Sequence, residues 1–231
     1  MPAEKFARIY TRAAKRKGGY EKLESMLSMP LSPSELATIG DNRFLSEFTK
    51  KVFQSGFVWR VVRQKWPNFE REFFNFDIEK ILLMPDEMLE QKATNPDIIR
   101  NLNKVRTIRE NALMIKSVQQ LHTSFSKFVS EWDTTDIIGL WDYLKKNGSR
   151  LGGNTGPYAL RFLGKDTFLL SRDVEGYFVA RNIIEGSSRS KRSLLAIQQQ
   201  FNNWQQQSGR SLQEISQIVS MSVGDNHISN D

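Results

Sequence analysis

Residues 148–173 read GSRLGGNTGPYALRFLGKDTFLLSRD, and the fold turns on how this stretch is read. Gly152, Gly153 and Gly156 fall between two segments of helical pattern. Glycine tolerates positive φ and removes the side chain where a backbone must approach something closely, so the three predict a tight hairpin joining two helices. A turn that opens a helix makes an anion site, because successive backbone N–H groups point outward with the positive end of the helix dipole behind them. A phosphodiester bound there is positioned and not read. The candidate backbone contacts are Arg150, Gly152, Gly153, Asn154, Thr155 and Gly156, with the basic residues Arg100 and Lys104 assisting. Asp173 stands a short way downstream and supplies a carboxylate, so the stretch points to a protein that grips DNA and acts on it.

Outward from this stretch, helical periodicity dominates and sustained β-branched runs are scarce, which predicts an all-α fold. A first helical segment covers about residues 3–28 and ends before Pro30 and Pro33, where Ser32 or Ser34 can cap the next helix. A buried helix is expected from Arg43 to Lys65, with Phe44, Phe48, Val52, Phe57, Val61 and Val62 near one face and Gly56 interrupting it. Pro67 is expected to start another helix, Asp77 and Pro85 to punctuate two short ones, and Asn95-Pro96 to open the segment carrying IIRNLNKV. Further helices carry Ile108, Ala112, Ile115 and Val118, then Phe125, Phe128 and Trp132. After the hairpin, residues 173–184 read as a helix with Asp173 at its N-cap. A polar linker at 185–193 precedes helices at 194–204 and 212–223, and the tail after Gly224 is expected to fray.

Composition narrows the function. The 231 residues are 39% hydrophobic, enough for a substantial core. A formal net charge of +7 favours a polyanionic partner. The chain has no cysteine, which excludes disulfides, thiolate zinc sites and cysteine-ligated clusters. Its two histidines, His122 and His227, are too few for a metal site, so no metal and no cofactor are expected. No stretch approaches the ~18 apolar residues of a membrane span, and no signal-peptide core opens the chain, so a cytosolic protein is the expectation. Phosphate-loop, zinc-protease and nucleophile-elbow motifs are missing.

The segment RLGGNTGPYAL, residues 150–160, resembles the helix-hairpin-helix element of the DNA glycosylase superfamily, and KDTFLLSRD, residues 165–173, resembles its approach to the catalytic aspartate. FQSGFVWRVVRQKWPNFEREFFNFD, residues 53–77, and PDIIRNLNKVRTIRENA, residues 96–112, are similar to the core of the bacterial DNA-3-methyladenine glycosylase I family. The resemblance covers about two thirds of the chain. It implies two helical lobes with a cleft between them, approximately 1–40 plus 173–231 and 41–172, and a monomer acting on double-stranded DNA that contains a damaged base.

The implied reaction is hydrolysis of the N-glycosidic bond of an alkylated purine, 3-methyladenine first among them, after the nucleotide is rotated out of the stack. Phe57 is the implied wedge that fills the gap. Trp59, Lys51, Phe53 and Tyr158 are the implied pocket, with the Trp59 indole stacking on the base. Asp173 is the implied catalytic carboxylate, stabilising the oxocarbenium charge and orienting water, with Asp166 and Glu175 as weaker substitutes. Where bifunctional relatives carry a Schiff-base lysine this chain has Pro157, which implies no strand cleavage. The chain also departs from the family. The two Cys and two His of the family's zinc tie are missing, MPLSPSELATIG at 29–40 replaces its tyrosine-bearing segment, and Lys51 stands where its base-recognising acid belongs. A non-catalytic lesion- or structure-binding protein on the same fold, or a glycosylase for another damaged base, are the alternatives.

Overall fold

A computed structural model describes residues 4–224. The described residues form helices α1 (Phe6–Lys17), α2 (Tyr20–Glu24), α3 (Pro33–Ala37), α4 (Asp41–Gln54), α5 (Trp59–Glu72), α6 (Ile78–Leu82), α7 (Asp86–Thr94), α8 (Leu102–Leu121), α9 (Phe125–Glu131), α10 (Ile137–Asn147), α11 (Thr155–Phe162), α12 (Arg172–Ala180), α13 (Lys191–Ser208) and α14 (Leu212–Met221), and no strand. The all-α expectation holds. The chain divides into two compact units, one of residues 31–132 with 139–165 and one of residues 1–30, 133–138 and 166–231.

In the unit built from residues 31–132 and 139–165, α4 is the axis and packs against α5, α8 and α11. Its Phe44, Leu45, Phe48, Val52 and Phe53 are fully buried. Phe125 meets Phe44 and Phe48 edge-on, and Trp66, Phe69, Phe73 and Phe76 stack on one another in a closed cluster that Phe53 meets edge-on through Phe69. Asp41 ties the first turn of α9, accepting from Phe125 N and Ser126 N at 2.9 Å each. Ser32 and Glu35 form a capping box on α3.

The other unit joins both ends of the described chain. Glu4 accepts from Arg12 Nη1 at 2.8 Å and Tyr177 Oη at 2.9 Å, with Arg181 at 3.2 Å. Burial alone would raise the Glu4 pKa, but the hydrogen bonds from Arg12 and Tyr177 and the two guanidinium charges outweigh it and hold the carboxyl below its ordinary value. The buried Trp204 indole donates to Glu4 O at 2.9 Å, and Phe168 stacks on Phe201 with centroids 4.2 Å apart. α1 packs on α14 and α13, so N- and C-terminal helices share one core.

Four sequence expectations are corrected. The segment 3–28 is two helices, parted where Gly18 and Gly19 take positive φ. The helix expected over 43–65 is also two, because the chain turns at 55–58 between α4 and α5. Pro67 lies inside α5 and does not start it; Trp66 and Phe69 bury on either side, and this packing holds the helix through the ladder bond that proline removes. Asp173 is not an N-cap, since Ser171 caps α12 and accepts from Val174 N at 3.4 Å. His227 and the tail after Gly224 lie outside the described residues.

Candidate active site

The hairpin runs from the end of α10 to the start of α11, and its glycines act differently from one another. Of the three, only Gly153 takes positive φ, at 63°. Gly156 is required for close approach, because a Cβ there would lie 2.6 Å from Leu151 O, whose oxygen accepts the Gly156 N–H at 3.0 Å. Gly152 has neither constraint to the same degree, its nearest neighbour being the Lys145 side chain at 3.2 Å. Arg150 itself sits in the left-handed region at φ 57°, a conformation that costs a non-glycine residue about 1–3 kcal/mol. The turn is anchored from α8: the buried Asn111 side chain accepts from Ser149 N at 2.7 Å and donates to Ser149 O at 3.2 Å. Asn111 escaped the sequence reading, since an asparagine inside a long helix carries no local signal of what it reaches.

α11 brings a second group of residues to the same unit. Tyr158, in its first turn, meets the Trp59 indole edge-on with centroids 6.4 Å apart. Trp59 opens α5 and is held by its Nε1 donating to Gln54 O at 3.1 Å, yet it remains 46% exposed. An indole held at its polar edge and half exposed keeps ring area outside the core, and the Lys51 ammonium lies over that ring, 5.7 Å from its centroid. Phe57, half-buried on the 55–58 turn, stacks over Phe53 at 6.3 Å. Phe53 is fully buried against Phe69 and supports Phe57 from below.

Lys51 is buried, at 4% exposure. Its Nζ lies 3.1 Å from Glu47 Oε1, donates to Gln54 Oε1 at 3.2 Å, and stands 3.3 Å from the centroid of Phe162, the last residue of α11. Burial pushes its pKa down, and Glu47 partly restores it. Phe162, 63% exposed, is a further residue that the sequence did not single out.

Lys104 is not available to a phosphate as the sequence suggested. It is buried, and its ammonium donates to Val52 O and to Ser55 Oγ, closing the end of α4. Burial lowers its pKa, and the charge of Arg150 lowers it further. Arg100 and Arg150 are exposed.

Asp173 belongs to the other unit. It is half-buried in the first turn of α12, and its Oδ2 accepts from Ser220 Oγ at 3.4 Å. A Cβ at Gly224 would come within 2.6 Å of its Oδ1, so the glycine leaves the carboxylate room. The weaker substitutes are engaged elsewhere. Asp166 accepts from Leu212 N at 3.2 Å and Gln213 N at 2.8 Å at the start of α14, and Glu175 pairs with Arg189 at 2.8 Å.

A hairpin carrying a basic residue, on the helix that also presents an aromatic pair, is the arrangement to set beside known proteins. The methyladenine glycosylase family model matches residues 37–151. By this segment the chain belongs to that family. The matched residues hold α4, α5, the 55–58 turn and the start of the hairpin. Among solved structures, the family member 3-methyladenine DNA glycosylase I from Staphylococcus aureus is 21% identical, with a TM-score of 0.47 over 63% of this chain and 83% of its own. The 8-oxoguanine DNA glycosylase of Methanocaldococcus jannaschii is 15% identical, with a TM-score of 0.58 and 92% of each chain covered. An 8-oxoguanine glycosylase/lyase from the same organism, in complex with a 15-mer DNA containing 8-oxoguanine, is 14% identical with a TM-score of 0.51, over 92% of this chain and 95% of its own. The chain thus has a helical DNA glycosylase fold that extends beyond the segment matched by the family. No curated protein matches the sequence. No helix of the described residues is long and apolar enough to cross a membrane.

Proposed function

We propose that this methyladenine glycosylase family member is a monofunctional DNA glycosylase that hydrolyses the N-glycosidic bond of a damaged base in duplex DNA. The observation that carries the reading is the sharing of α11. Its N-terminal end is the hairpin suited to a phosphodiester, and its Tyr158 and Phe162 flank or approach the exposed Trp59 and the buried Lys51. The backbone grip and the side chains that flank the stacking indole are thereby carried on one helix, which supports the positioning that a reaction on an extruded nucleotide requires.

In this reading the hairpin amides and Arg150 hold the phosphate, and Phe57 enters the stack as the base leaves it. The base stacks on Trp59. Asp173 stabilises positive charge on the sugar and takes a proton from the attacking water. The water oxygen bonds to C1′, the bond from C1′ to the base nitrogen breaks, and the departing base takes up a proton. With Pro157 at the hairpin position where a Schiff-base lysine would act, the product is an abasic site in an unbroken strand. The test is release of free base from damaged duplexes by the wild type and by Asp173→Asn. Release lost in the variant with DNA affinity retained supports the enzyme; DNA binding with no release from any duplex assigns the chain to the non-catalytic binders.

A further inference from the structure

The buried lysines of the unit that carries the hairpin differ in what they hold. Lys104 and Lys165 donate to backbone carbonyls, Val52 O for the first and Ser130 O and Trp132 O for the second, and so act as fixed structural clamps. Lys51 meets only side chains: Glu47 Oε1, Gln54 Oε1, the face of Phe162 and, at 5.7 Å from its centroid, the face of Trp59. An ammonium has three N–H donors. Gln54 Oε1 takes one of them, the Glu47 carboxylate pairs with the charge without completing a hydrogen bond at its Oε1, and another side of the ammonium faces the Phe162 ring, a weaker partner than a carbonyl oxygen. That ring belongs to an exposed residue at the end of α11, so turning it aside uncovers little apolar surface.

The charge around Lys51 is unbalanced. Lys50 and Arg63 add to its positive charge, and Glu47 is the carboxylate that offsets it. Glu47 also pairs with Lys50 at 3.5 Å. A cationic ring laid against Trp59 would therefore meet an excess of positive charge, whereas a neutral ring with an exposed oxygen would meet a hydrogen-bond donor.

We infer that the site selects a neutral damaged base bearing a carbonyl oxygen, which accepts a hydrogen bond from Lys51 once Phe162 turns aside, over a cationic alkylated purine. The inference rests on the glycosylase reading above and names its substrate class. Lys51 and Gln54 set the specificity, Glu47 holds the ammonium in place, and Phe162 covers it when no base is bound.

The experiment compares base release by the wild-type protein from duplexes containing hypoxanthine, 8-oxoguanine or uracil with release of 3-methyladenine from methylated DNA. At least one carbonyl-bearing base is expected to leave faster than 3-methyladenine. Lys51→Met should slow that release about 10- to 100-fold, the loss of one hydrogen bond from a charged donor, and narrow the ratio of that release to release of 3-methyladenine. If the variant fails to fold, the wild-type ranking alone decides. Faster release of 3-methyladenine than of every carbonyl-bearing base would overturn the inference and leave the glycosylase reading standing. Wild-type rates on the carbonyl-bearing base in a folded Lys51→Met would also overturn it. No release from any duplex would overturn the glycosylase reading and this inference with it.

Discussion

Replacing Asn111 by alanine tests whether the hairpin is held from α8. Asn111 is fully buried, and its side chain makes two hydrogen bonds to the backbone of Ser149, at 2.7 Å from the N–H and 3.2 Å to the carbonyl. The substitution removes both partners. Ser149 is half-buried, so water reaches its backbone only in part. An amide left in that condition costs about 1–3 kcal/mol, of which a fully solvated group would recover most. The adjoining Gly148 is tightly enclosed, since a Cβ there would lie 2.6 Å from Leu151 Cδ1 and 2.8 Å from Leu144 O. The variant should therefore lose ~2 kcal/mol of stability in urea denaturation. It should also bind undamaged duplex DNA several-fold more weakly in fluorescence anisotropy at fixed salt, because the turn no longer presents its amides in one geometry. Stability within ~0.5 kcal/mol of the wild type, or a full loss of stability with unchanged DNA affinity, would refute the idea that Asn111 fixes the hairpin for binding.

The remaining predictions separate roles that the sequence merges. Arg150→Gly relieves a left-handed backbone and should raise stability by ~1 kcal/mol, while the slope of log affinity against log salt falls by about one phosphate contact; unchanged slope would remove Arg150 from the interface. Lys104→Met should leave that slope unchanged and lower the unfolding midpoint, since this ammonium is spent on Val52 O and Ser55 Oγ. Trp59→Ala should scarcely alter stability yet abolish base release, measured by denaturation and by chromatography of released bases. For Glu4, the folded pKa lies below the ordinary value of 4.5, so its contribution is complete above about that pH and is lost as pH falls through the depressed folded value. Glu4→Gln should accordingly destabilise at neutral pH and flatten the acid limb of a pH-denaturation curve.

The helical class and the hairpin were legible because they rest on local rules: periodicity, glycine spacing and capping residues. Asp77 caps α6, its side chain accepting from Lys80 N, and Pro85 immediately precedes α7. The misjudged positions depended on distant partners. Lys104 and Arg150 look alike as basic residues, and only packing against the end of α4 shows that the first is buried and the second is not. Phe53 and Phe57 likewise differ only in depth. Pro67 breaks a local rule that the buried Trp66 and Phe69 override. Asp173 reads as a cap by position, but Ser171 stands two residues earlier with a hydroxyl better placed for the α12 amides. Phe162 and Asn111 carry no motif, and their roles arise from an ammonium and a backbone turn that lie far off in sequence.

The most direct test of the central claim is single-turnover incubation of end-labelled damaged duplexes with the wild type and Asp173→Asn, following free base, alkali-labile sites and borohydride-trapped complex together. The account predicts free base and an abasic site in an intact strand, no trapped complex, and loss of release in the variant. Strand cleavage with a trapped protein adduct, or full release by Asp173→Asn, would contradict it.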